Sequence, residues 1–137
     1  MNKLFLLIGL TFSVAIFSQK PDDIIGKYHL PNDLDIEIFK TENNTYNGKI
    51  IALNNYPETK DVKNTHKSKR NDLLLGKEII TKLKFDKNKK KWKNGKMYGP
   101  EKGITVNLEI TKCNNHEITI VGSKFIFWKT MKWKKIQ

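Results

Sequence analysis

Cysteine is almost absent from this chain of 137 residues. Cys113 is the only one, so no internal disulfide can form and the fold must hold by packing. No cysteine near the start could carry a lipid anchor either. Arginine is equally scarce: Arg70 stands alone among 26 basic residues, and the chain is crowded with asparagine and isoleucine, as in products of AT-rich genomes. His29, His66 and His116 are scattered, with no His-x-x-x-His pair and no Cys-x-x-Cys, so neither a metal nor another cofactor is expected. There is no nucleophile elbow, no glycine-rich phosphate loop and no evident Ser, His and Asp set. No catalytic residue is assigned, and the chain is not expected to be an enzyme, although folding can assemble distant residues into an unrecognised site.

Runs long enough to span a bilayer as a helix are missing too, which gives the short apolar run near the start its meaning. Lys3 precedes Leu4-Phe5-Leu6-Leu7-Ile8-Gly9-Leu10, and the chain turns polar at Ser18-Gln19-Lys20-Pro21. A positive start, a short greasy centre and small residues before a polar sequence are what a secretory signal needs. Ser13-Val14-Ala15 fits the small-x-small rule, but the change of polarity favours cleavage after Ser18. Residues 1–18 are therefore expected to be a signal peptide and 19–137 a single domain, exported to the periplasm or the outside, with no transmembrane segment after cleavage.

The formal net charge is +12, losing one with Lys3, and the pI is about 9.7. Such a field attracts anions. Lysine spread over the whole chain in place of arginine nevertheless reads as a solvated surface more than a binding code. Lysines and rings alternate in Lys91-Trp92-Lys93 and again from Trp128 to Lys135. On strands that puts rings inside and charges outside, whereas nucleic-acid binding needs both on one exposed face, so no nucleic acid is expected.

Periodicity predicts strands throughout. Leu34, Ile36 and Ile38 alternate with Asp35 and Glu37; Thr41-Glu42-Asn43-Asn44 makes a turn; and Thr45 to Leu53 returns with Tyr46, Gly48, Ile50 and Ala52 on one face. Asn43-Asn44-Thr45 fits a glycosylation sequon, but the turn explains it. Residues 54–70 carry almost no apolar side chains and form a long loop, of the kind that is functional or mobile. Leu73-Leu74-Leu75-Gly76 reads as a buried turn into a strand, followed by a turn at Asp86-Lys87-Asn88-Lys89 and a strand from Trp92 to Tyr98. After the turn Gly99-Pro100-Glu101-Lys102-Gly103, the alternation of Ile104, Val106, Leu108 and Ile110 is unambiguous. Glu117 to Val121 and Lys124 to Ile136 complete an antiparallel barrel or sandwich.

The order of these pieces resembles an exported bacterial family known as domain of unknown function 2147. The residues that carry the resemblance are Gly26-Lys27-Tyr28, Tyr46-Asn47-Gly48-Lys49-Ile50, Arg70 to Gly76, Trp92, Gly95, Met97 to Gly103, Val121-Gly122 and Trp133. The chain departs from the family at Tyr28, where tryptophan is usual, at Gly99, where aspartate is frequent, and at Thr105, where an aromatic is typical. The resemblance implies an all-β, small antiparallel up-and-down barrel, lipocalin-like, and no established activity.

Such a barrel can be solid or can hold one ligand. The leading expectation is a non-catalytic binding domain for a small apolar or amphipathic ligand. Tyr46, Trp92, Tyr98, Phe127 and Trp133 would be walls, with Arg70 or Lys96 anchoring an anionic headgroup. For Arg70 a second reading stands beside this one, a clasp from the loop to an acidic residue of the barrel, since its planar fork does what lysine cannot. Asp35 and Glu37 lie about 7 Å apart along one strand face, near the spacing of two-carboxylate glycosidases, but such pairs are common on wet faces. The alternative function is a cationic surface module for anionic envelope lipid or glycan.

Overall fold

A computed structural model describes residues 18–137. The expected signal lies outside the described residues except for Ser18. Eight strands follow in chain order: β1 (Gly26–His29), β2 (Asp35–Lys40), β3 (Tyr46–Ala52), β4 (Glu78–Asp86), β5 (Lys91–Gly99), β6 (Ile104–Cys113), β7 (Glu117–Lys124) and β8 (Phe127–Ile136). Each pairs antiparallel with its neighbour in sequence, and β8 pairs with β1, closing an up-and-down barrel that leaves no free edge.

The period-two pattern does what it predicts. Leu34, Ile36 and Ile38 are buried, as are Tyr46 and Ile50, while Leu108 and Ile110 face Gly122 and Ile120 across the β6–β7 ladder. Asp35 is half-buried, pairs with His29 across the β1–β2 ladder and accepts a hydrogen bond from its Nδ1 at 2.6 Å, a structural pairing. Two departures matter. First, β7 runs on to Lys124 and β8 starts at Phe127, so the turn is Phe125-Ile126, later than the sequence suggested. Second, Lys82 and Asn94 take φ of 64° and 63° beside register shifts in β4 and β5, and these bulges reverse which residues point inward. Trp92 is inside; past the bulge Gly95 is inside and Lys96 is exposed. A Cβ at Gly95 would sit 2.6 Å from Leu83 Cδ2, so only glycine lets that side chain cross the interior here.

One end of the barrel is plugged. Residues Pro21–Ile24 form a 3-10 turn across it, with Ile24 fully buried. Trp92 Nε1 donates to the Pro21 carbonyl at 2.8 Å, Tyr28 Oη to the Ile24 carbonyl at 2.8 Å and Tyr46 Oη to Asp22 at 2.6 Å. The rings of Tyr28, Tyr46, Trp92 and Trp133 fill the space behind this plug.

The opposite end carries the β1–β2, β3–β4, β5–β6 and β7–β8 connections. Residues 53–77 form a strap across part of it, ordered around Asp61, which is 1 % exposed. Asp61 accepts hydrogen bonds from Tyr98 Oη at 2.6 Å and Asn64 Nδ2 at 2.8 Å, and Lys77 Nζ lies 3.3 Å away. Three donors of this kind are what a buried carboxylate needs. Gly103, with φ +67°, lets the Lys63 carbonyl pack where a side chain would stand: its Cβ would fall 1.9 Å from that oxygen.

Candidate functional site

The strap leaves the β5–β8 side of this end open. There the line of inward-facing residues continues past the filled core into an apolar recess of about 440 Å³. Its position follows from the register. Gly122 pairs with Leu108, Met97 with Val106, and Met131 with Ile120, so all of them share the face of the buried core. Ile104 and Phe127 extend the walls toward solvent. Glu101 and Lys102 on the β5–β6 turn, with Lys124 and Lys129 on the β7–β8 hairpin, form a rim of three ammonium groups to one carboxylate. Apolar walls with a few charged groups at the mouth suit an amphipathic molecule with an anionic head.

The residues the sequence nominated are scattered. Phe127 lines the recess. Tyr46, Trp92 and Trp133 are fully buried within the packed core, where they present no surface to a ligand. Below Met131, Trp133 is the next inward residue of β8, and its Nε1 has no hydrogen-bond partner among the described residues. Lys96 reaches Asn107 on the outer face, because the Asn94 bulge turns it outward. Tyr98 is tied to Asp61 of the strap. Burial and the Asp61 carboxylate push its phenol well above the usual tyrosine range. Arg70 Nε donates to the Asn64 carbonyl at 2.8 Å, so it closes the loop on itself, and its acceptor is a loop carbonyl instead of an acidic residue of the barrel.

Met97, Val106, Gly122 and Met131 were missed. Val106 stood within the alternation of Ile104 to Ile110, and Met97 and Gly122 stood among the residues that carry the family resemblance, but apolar and small residues of this kind are easily taken for core.

A wider cleft of about 600 Å³ lies at the plugged end, between residues 18–20 and Cys113 to Asn115. Its walls are mostly polar, and they include the residues that flank the expected cleavage point. Burial pushes the Cys113 thiol up, which makes it a poor nucleophile. Among the described residues no group of three or more His, Cys, Asp or Glu side chains could hold a metal ion, and no helix is long and apolar enough to cross a membrane.

The family model described as "uncharacterized protein conserved in bacteria (DUF2147)" matches residues 26–135. The chain belongs to this family. A solved structure from the human pathogen Helicobacter pylori, the protein HP1028, described as belonging to the lipocalin family, superposes with a TM-score of 0.72. The two are 19% identical, and the match covers 83% of each chain. That likeness establishes a lipocalin-type barrel for this DUF2147 member. No curated protein matches it.

Proposed function

We propose that this DUF2147 protein is an exported, non-catalytic binding domain. Its open-end recess takes the apolar part of a small amphipathic molecule, and Lys102, Lys124 and Lys129 meet an anionic head. The observation that carries this reading is the recess itself, a continuation of the barrel interior walled by apolar side chains and rimmed mainly by lysines. Export is supported by the fate of Gln19, the first residue after the favoured cleavage point. Its Oε1 accepts the Cys113 N–H at 2.6 Å and its Nε2 donates to the Thr111 carbonyl at 3.2 Å, so cleavage after Ser18 would leave these barrel contacts intact.

Gly122 supplies the test. A Cβ there would meet Val106 Cγ2 at 3.7 Å, an ordinary contact, so Gly122→Leu grows into the recess without forcing the backbone. Titration with a fluorescent fatty acid should saturate for the native protein and weaken by about tenfold or more for Gly122→Leu, with little change in melting temperature. Equal binding by the two proteins would reject the recess.

The charge of +12 favours a second reading, adsorption of anionic envelope polymers by the lysine surface. Such binding falls steeply with salt, whereas an apolar tail in a recess resists it.

A further inference from the structure

The turns of the barrel differ in chemistry. The β2–β3, β4–β5 and β6–β7 turns at the plugged end are built from Asn, Lys, Glu and Thr, with one His, and the β5–β6 turn is Pro100-Glu101-Lys102-Gly103. The β7–β8 hairpin ends in four consecutive exposed large apolar residues, Phe125, Ile126, Phe127 and Trp128, at 91%, 77%, 74% and 73%, whereas the strap exposes Leu73 and Leu75 on either side of the buried Leu74. Lys124 and Phe127 pair directly, so Phe125-Ile126 is a two-residue turn. Phe125 takes φ 56°, a conformation that favours glycine and disfavours a bulky side chain. Neither folding nor solubility explains an aromatic at that position, and contiguous exposed apolar patches mark interaction sites.

Charge indicates the partner. Lys124 and Lys129 flank the tip, Lys102 stands across the recess from it, and the whole chain carries +12. Two copies meeting through lysine-flanked tips would repel each other. An anionic bilayer surface satisfies both features. Aromatic and aliphatic side chains enter the headgroup layer, where tryptophan is at home, and lysines meet lipid phosphates. We infer that the β7–β8 hairpin is a membrane-docking wedge, with Phe125, Ile126 and Trp128 inserted into an anionic lipid surface and the open end of the barrel held against it. This inference stands on the tip and does not require the recess to bind a ligand.

Flotation of the purified protein with vesicles tests it, comparing phosphatidylcholine alone with phosphatidylcholine plus phosphatidylglycerol. The protein should float with the anionic vesicles and much less with the neutral ones. Tryptophan emission should shift to the blue on binding, and Trp128→Phe should remove that shift, since Trp92 and Trp133 are already buried. The double variant Phe125→Gly, Ile126→Ser should lose about tenfold or more in vesicle affinity. Its melting temperature should stay level or rise, because glycine suits the turn. Its fatty-acid titration should be unchanged, because neither residue lines the recess. Failure to float with either vesicle would overturn the inference. So would flotation that survives the double substitution, which is lysine adsorption alone, or a concentration-dependent dimer that the substitution abolishes.

Discussion

The two ends of the barrel solve opposite problems with the same materials. At the plugged end, aromatic side chains point inward, and Tyr28, Tyr46 and Trp92 spend their polar atoms on the 3-10 turn that closes it. At the open end, aromatic and aliphatic side chains at the β7–β8 tip face solvent, and the inward line ends in a recess. Only the strap side of that end is sealed, by the Asp61 network. An aromatic side chain therefore serves packing at the plugged end and under the strap, where Tyr98 bonds Asp61, and stands uncovered at the β7–β8 tip. The difference is set by whether something covers it.

The largest effect is expected at Asp61. Asp61→Ala should remove the hub of the strap, leave Tyr98 Oη and Asn64 Nδ2 without their acceptor and Lys77 with Asp72 alone, and cost about 3 kcal/mol. Hydrogen exchange should then quicken across residues 53–77 while the amides of the plug keep their protection. Uniform loss of protection would mean that the two ends are not independent.

A smaller effect should separate two buried tryptophans. Trp92→Phe and Trp133→Phe remove similar volume, but the first also breaks the bond to the Pro21 carbonyl, whereas the second deletes an indole N–H with no partner among the described residues. Trp92→Phe should be the more destabilising by about 1–2 kcal/mol in chemical denaturation, chiefly through loss of the plug.

The smallest differences should come from pH. Burial raises the phenols of Tyr28, Tyr46 and Tyr98 above their usual 10.0, and Asp22 raises Tyr46 further. Their contribution is complete below pH 10.0 and is lost as pH rises through the elevated values, so alkali should loosen both ends. Acid should act on the plugged end. The hydrogen bond from Tyr46, followed by Lys40, holds Asp22 below its usual 3.8, and Lys93 with the Lys89 N–H does the same for Asp86. These contributions are present above pH 3.8 and fade as pH falls below it. They should be slight because Asp22 is exposed and the Lys93 partner of Asp86 is partly in solvent. Melting curves across pH read both limbs.

Much of the fold was legible in the sequence because alternation is local. Leu34 to Ile38 and Ile104 to Ile110 needed no knowledge of their partners, and the polar turns marked the hairpins. The site was less legible, for physical reasons that can be named. The Asn94 bulge reverses the parity of β5, so Trp92 and Lys96 part company even though their spacing puts them on one face. Ring size does not distinguish a residue that fills a barrel from one that lines it, so Tyr46, Trp92 and Trp133 appeared as walls. Residues 54–70 looked empty of structure because two of the three donors that order Asp61, Tyr98 and Lys77, come from outside the loop. Four contiguous apolar residues at Phe125 to Trp128 did interrupt the alternation. That interruption was the available signal for a tip that projects into solvent.

The most direct test of the division between the ends is amide and methyl chemical-shift mapping of the labelled protein during titration with a fatty acid. Perturbations are expected at Met97, Val106, Gly122 and Met131, with Tyr28, Ile24 and the other plug residues silent. Shifts centred on the plug, or spread over the outer lysines with none in the recess, would contradict it.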